Sequence, residues 1–134
     1  MSARACDRYG RDERGSASAE LVVATPLLML LILGVIQFAL WQHATHIAEA
    51  AAQRGLAAGR VDGGTETTGQ TEADAVLRQL GVLSDSRVVT DRTVDMTTVI
   101  VTGEAPSVLP FLHLPVRAVA SGPSERFRPP GSSP

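Results

Sequence analysis

The feature that most restricts this chain is an uncharged stretch of 21 residues, Leu21 to Trp41, which reads LVVATPLLMLLILGVIQFALW. As an α-helix rising about 1.5 Å per residue it would be roughly 31 Å long, which matches the hydrocarbon core of a bilayer, about 30 Å. Pro26, Gly34 and Gln37 reduce its apolar character without adding a charge, so we interpret the stretch as a membrane-spanning helix. Pro26 is a candidate kink within it, and Trp41 is a candidate anchor at the membrane interface.

The arginines around this stretch predict its direction. Those before it are Arg4, Arg8, Arg11 and Arg14, whereas the next twenty residues after it contain only Arg54 and Arg60. Because cytoplasmic flanks are enriched in Lys and Arg, the N-terminus is predicted to be cytoplasmic and the rest of the chain extracytoplasmic.

A cleaved secretory signal peptide is the main alternative for the same stretch. Such a signal has an apolar region of about 7 to 15 residues, followed closely by a small-x-small cleavage site. Here the apolar run is longer, and the nearest such pattern, Ala48 to Ala50, lies well beyond its end. We therefore expect the segment to be retained.

Composition excludes several other functions. The chain of 134 residues is at most one domain outside the membrane, and its 12 basic and 14 acidic residues give a net charge of −2. No basic patch with interleaved aromatic residues is present, so nucleic-acid binding is not expected. The single cysteine, Cys6, excludes an intrachain disulfide. No catalytic motif surrounds the outer Ser, Asp or His residues, and we expect no enzymatic activity.

The residues just before the apolar stretch carry a second signal. Gly15 has no side chain to obstruct a peptidase, and small residues follow it as far as Ala19. Glu20 then places a carboxylate at the start of the apolar helix, where the partial positive charge of a helix N-terminus favours it by about 0.3 to 1 kcal/mol. A chance Gly-to-Glu spacing in a linker, with Glu20 among the lipid headgroups, is the simpler alternative.

This arrangement resembles the class III signal of type IV pilin-like proteins. The longer pattern RGSASAELVVATPLLMLLILGVIQFALWQHATHIAEAAAQRGLAAGR is similar to the TadE-like family of minor pilins, or pseudopilins, of tight-adherence pilus systems, particularly the actinobacterial type. The resemblance implies that a membrane prepilin peptidase cuts between Gly15 and Ser16, and that Glu20 serves assembly. The new amine of Ser16 would then be a cation able to pair with Glu20 of the same or a neighbouring subunit.

The family resemblance also implies a function and partners. We expect a minor pilin or pseudopilin that helps to assemble a tight-adherence, Flp-type pilus or a related type II secretion-like machine. Its partners would be other pilin-like subunits, platform proteins and the membrane. The alternative is a static single-pass envelope protein with a small extracytoplasmic binding domain.

The helix is predicted to continue out of the membrane to about Gly59 or Arg60. Small residues recur there at three- and four-residue steps, a pattern that permits close packing either in a filament or against the chain's own sheet. His43, His46 and Glu49 could in principle share a metal, but they lie on one short arc with no evident fourth ligand. No metal or cofactor is predicted.

The remaining residues predict a small α+β domain. A polar loop, Val61 to Gln70, precedes a short helix from Glu72 to Leu80, with Thr71 as its cap and Gly81 as its stop. Strands are predicted at 87–93, 97–104 and 115–121, forming a three-stranded antiparallel sheet on the long helix.

The predicted organisation has four parts: a cytoplasmic leader at 1–15, a transmembrane and extended helix at 16–60 with the membrane span at 21–41, an extracytoplasmic α+β domain at 61–121, and a disordered tail at 122–134.

Overall fold

The computed structural model describes residues 9–125, with side chains described from Glu20 onward. The predicted α+β architecture is confirmed: a long N-terminal helix is followed by a short helix and a three-stranded antiparallel sheet. Residues 1–8 of the predicted leader and 126–134 of the predicted tail lie outside the described residues.

The first helix, α1, runs from Tyr9 to Arg60 and confirms the predicted continuation to Arg60. It begins inside the predicted leader and passes through Pro26. Proline has no N–H to donate to the carbonyl one turn before it. The carbonyl that loses this donor is that of Val22, whereas the Leu21 carbonyl before it accepts a bond of 2.7 Å from the Thr25 hydroxyl.

The second helix, α2, spans Glu66–Leu80, so the predicted start at Glu72 is wrong. Its N-cap is Thr65, whose hydroxyl accepts from the Thr68 backbone N–H at 3.1 Å. The predicted cap, Thr71, lies inside the helix and donates its hydroxyl to the Thr67 carbonyl at 2.8 Å. The predicted stop is correct, because Gly81 takes the left-handed conformation with φ of 59°.

The sheet contains β1 (Ser84–Arg92), β2 (Met96–Glu104) and β3 (Pro115–Pro123), in the order β1-β2-β3. Both pairs are antiparallel, with Val89 opposite Ile100 and Ile100 opposite Val119. β1 begins three residues before its predicted start, at an irregular pairing between Ser84 and Arg87. β3 extends to Pro123, and the N–H groups of Ser124 and Glu125 donate to the Asp95 and Arg60 carbonyls, so the disordered tail predicted from Gly122 onward is wrong as far as Glu125.

Alternating side chains of the sheet face a core that is completed by the second half of α1. In β3, Val116, Ala118 and Ala120 are buried while the residues between them are exposed. The α1 residues in the same core are mostly small: Ala44, Ile47, Ala48, Ala51, Ala52 and Leu56. The sequence left open whether this small-residue face packs in a filament or within the chain, and the structure decides for the chain's own sheet.

The described chain divides into two compact units. The first ends at Ile36 and the second begins at Gln37, so that α1 contributes to both. All residues of the hydrophobic core belong to the second unit.

Candidate functional site

The motif before the apolar segment lies on α1. Gly15 and Ser16 are in the helical backbone, and Glu20, one turn beyond Ser16, is exposed. Residues four apart occupy the same face of a helix, about 6 Å apart along its axis. Ser16 therefore precedes Glu20 by about one helical turn. The cleavage site and the assembly carboxylate stay predictions.

The apolar segment presents its large side chains outward. Those of the first unit that are exposed are Leu21, Val22, Val23, Leu27, Leu28, Met29, Leu30, Leu31, Ile32, Val35 and Ile36. Among the residues that the structure describes, one helix is long and apolar enough to cross a membrane, and it lies near the N-terminus. An apolar surface of this size requires lipid or another protein to cover it.

Gln37 is the first residue of the second unit, and its side chain is only 4% exposed. Its amide Nε2 donates to the Pro106 carbonyl at 3.1 Å, and its Oε1 accepts from the Val108 N–H at 2.9 Å and from the Ser107 hydroxyl at 3.4 Å. We call residues 105–114, between β2 and β3, the proline loop. Gln37 therefore binds the proline loop to the end of the apolar segment.

Trp41 lies one turn beyond Gln37 and is partly buried against the core. Its indole N–H donates to the Pro115 carbonyl at 3.4 Å, where β3 begins, and its ring lies 6.0 Å from that of Phe38. The predicted anchoring of Trp41 in the membrane interface is compatible with this contact, which also holds the start of β3 against α1. The anchor role stays a prediction.

Polar side chains that follow Trp41 contact one another on the surface of α1. The imidazole of His46 lies 3.5 Å from the Glu49 carboxylate and 3.3 Å from the Gln42 amide, all on the exposed face of α1. Within residues 9–125, no three side chains of His, Cys, Asp or Glu come together in a way that could hold a metal ion.

Arg92, the last residue of β1, bonds to the end of α1 and to the start of α2. One nitrogen of its guanidinium shares its two hydrogens among three backbone carbonyls. The Gly59 carbonyl lies in the last turn of α1, and those of Val61 and Gly64 come just after it. Its own backbone N–H donates to Glu66 at the start of α2 at 3.1 Å. A cation at a helix C-terminus also complements the negative end of the helix dipole. Arg92 thereby joins both helices to β1.

Neither Gln37 nor Arg92 was predicted from the sequence. Gln37 carried a signal, since it is a carboxamide in an apolar segment and a polar group there needs a partner. Arg92 carried none, because arginines at strand ends are usually solvated.

These features define a small α+β protein with one long N-terminal helix, whose first part is apolar enough to cross a membrane. Residues 15–56 match the family model described as TadE-like protein, which confirms the resemblance to the TadE-like family over this segment. No curated protein and no solved structure is significantly similar to the chain.

Proposed function

We propose that this chain is a minor pilin or pseudopilin that takes part in assembling a tight-adherence, Flp-type pilus or a related type II secretion-like machine. The observation that carries the proposal is the match to the TadE-like family, which begins at Gly15 and extends through the apolar segment to Leu56. The matched residues include the whole predicted processing motif. The role is one of structure and assembly and requires no enzymatic activity of the chain.

In this proposal α1 holds the subunit in the cell membrane, with the N-terminus cytoplasmic and the α+β domain extracytoplasmic. A prepilin peptidase removes the leader after Gly15. The amine of Ser16 and the carboxylate of Glu20 then form a pair that reduces the cost of keeping a charge at the membrane edge. The exposed apolar side chains between Leu21 and Ile36 support lateral contacts with the helices of other pilin-like subunits.

The test is the mature N-terminus of the chain, recovered from its native cells, together with its assembly into the pilus fraction. We expect an N-terminal peptide that begins at Ser16. We further expect Glu20→Ala to be processed but depleted from that fraction, and Glu49→Ala, which removes an exposed carboxylate outside the motif, to behave as the unchanged protein.

An intact Met1 or a start near Ala50 would contradict the processing claim. Normal recovery of the Glu20→Ala chain in pilus fractions would contradict the assembly role of this carboxylate. The static envelope protein, the alternative, predicts a membrane-bound chain that retains its leader and does not co-purify with pilin-like subunits.

A further inference from the structure

The proline loop differs from the rest of the outer unit in composition. Residues 105–114, APSVLPFLHL, contain no Asp, Glu, Lys or Arg. Two of its large apolar side chains point to the outside, with Val108 47% exposed and Phe111 77% exposed. The opposite end of the same unit, where Arg92 joins the helices, is rich in charges: Arg60, Asp62, Glu66, Arg92, Asp95 and Glu125. The proline loop itself is thus uncharged, although Glu104, which pairs with Ser84 and Pro115, and Asp85 lie at the same end of the sheet.

The hydrogen bonds of α1 determine where the proline loop lies along the helix. Pro115, where the loop ends, is level with Trp41, because the indole N–H donates to its carbonyl. Val108 is level with Gln37, because its N–H donates to that side chain. Gln37 precedes Trp41 by four residues, or about 6 Å along the axis. The loop therefore lies beside the turn of α1 between Gln37 and Trp41.

Part of the backbone of the proline loop is hydrogen-bonded within the protein. The N–H groups of Ala105, Val108, Leu109 and Leu112 all donate within the protein. The Pro106 carbonyl accepts from Gln37, and the two prolines of the loop, Pro106 and Pro110, have no N–H. Backbone groups that enter a membrane must be bonded internally, since lipid supplies no partners.

We propose that the proline loop inserts Phe111 and Val108 into the outer leaflet of the membrane that α1 crosses, so that the outer unit has a second contact with lipid beside its helix. The occupant of this surface is lipid, at the boundary of headgroups and acyl chains. Apolar side chains bind there at a depth of about 5 to 10 Å. A residue that lies one helical turn, about 6 Å, deeper than a tryptophan at the interface is within that depth. The inference rests on the membrane anchor of the proposed function and not on its role in a pilus.

The test uses the full chain, with Cys6→Ser, reconstituted into vesicles of phosphatidylethanolamine and phosphatidylglycerol. An environment-sensitive fluorophore is attached through Phe111→Cys or, as the matched control, through Val94→Cys. Val94 is similarly exposed, at 67%, but lies in the turn between β1 and β2, at the end of the unit that is rich in charges. Some vesicles contain lipid with a nitroxide near the carbonyl end of its acyl chain, and iodide serves as the aqueous quencher.

We expect the label at position 111 to show blue-shifted emission and to be quenched by the nitroxide lipid, whereas the label at position 94 is quenched by iodide alone. A label at position 111 that behaves like the one at 94 would overturn the proposal, as would lipid quenching at both positions. Protection of position 111 from both quenchers would mean that a second copy of the chain covers the loop, which also contradicts lipid contact.

Flotation of the same vesicles separates this inference from the proposed function. A chain that fails to float with lipid contradicts the membrane anchor on which both rest. A chain that floats, with position 111 exposed to iodide, overturns the loop insertion alone. Circular dichroism of both labelled variants verifies that the two exposed substitutions leave the helices intact.

Discussion

Gln37 shows how one polar side chain can determine the arrangement of a whole loop. A carboxamide facing lipid would be costly, because neither its donors nor its acceptor would have a partner. Beneath the proline loop, the side chain instead bonds to Pro106, Ser107 and Val108. The same bonds satisfy backbone groups of the loop that would otherwise be buried without partners. Side chain and loop therefore stabilise each other.

We predict that Gln37→Leu destabilises the outer unit by about 1 to 3 kcal/mol, because it leaves the Val108 N–H and the Pro106 carbonyl unpaired. The measurement is urea unfolding in detergent micelles, followed through the fluorescence of Trp41, the only tryptophan of the chain. Exchange of the Val108 amide hydrogen should become faster as well.

Gln42→Leu is the matched control for this change. It makes the same substitution in the same helix, but Gln42 is exposed and its amide contacts His46 at 3.3 Å. We expect a change within about 0.5 kcal/mol. Equal effects of the two variants would show that the bonds of Gln37 to the proline loop contribute nothing specific.

Among the elements, the approach of α1 to α2 depends on two glycines. A Cβ added at Gly55 would lie 2.8 Å from the Gly69 carbonyl oxygen and 3.0 Å from the Ala73 Cβ. A Cβ added at Gly69 would lie 3.0 Å from the Gly55 carbonyl oxygen. The two carbonyl oxygens that such a Cβ would contact belong to the backbone, and the backbone cannot move away as the end of a flexible side chain can. The two helices can be this close only because neither residue has a side chain.

We therefore predict that Gly55→Ala lowers the free energy of unfolding by about 1 to 3 kcal/mol, since it overpacks the helix contact. Gly59→Ala, one turn later, is the control. Its Cβ would meet the Thr97 Cγ2 at 3.4 Å, an ordinary contact, and alanine is the better helix former by up to about 1 kcal/mol. Thermal unfolding should move to lower temperature for Gly55→Ala and stay unchanged or rise for Gly59→Ala. The reverse order would contradict the close contact.

At the scale of the whole molecule, burial is divided sharply between the two compact units. Every residue of the hydrophobic core lies beyond Gln37, while the large apolar side chains from Leu21 to Ile36 are exposed. The outer unit therefore has its own core, and the first unit requires lipid or other subunits. A protein of this kind is expected to remain folded outside the membrane while its helix is held within it.

We predict that a fragment comprising residues 37–134 folds in water without lipid or detergent. Its core retains both the sheet and the second half of α1, so unfolding by urea should be cooperative, although a domain this small has limited stability. Circular dichroism and Trp41 fluorescence should report the same transition. A fragment with no cooperative transition would show that the apolar part of α1 is required for the fold.

The sequence alone determined the elements whose cause is local. The uncharged run from Leu21 to Trp41 predicted a long apolar helix, the β-branched residues near Val99 predicted a strand, and Gly81 predicted the end of α2. Each of these depends on the residues' own backbone preferences or on their periodicity. The TadE-like resemblance could likewise be found from Gly15, Glu20 and the apolar segment that follows.

Only the tertiary structure decided what depends on distant partners. Gly69 and the threonines around it predicted a loop, yet they form the first turns of α2, where Thr65 caps the helix and Gly69 packs closely on Gly55. Gln37 is joined to residues about seventy positions further along the chain, and Arg92 to carbonyls about thirty positions before it. Local preferences carry no information about such pairs, since these contacts form only once the sheet lies against the helix.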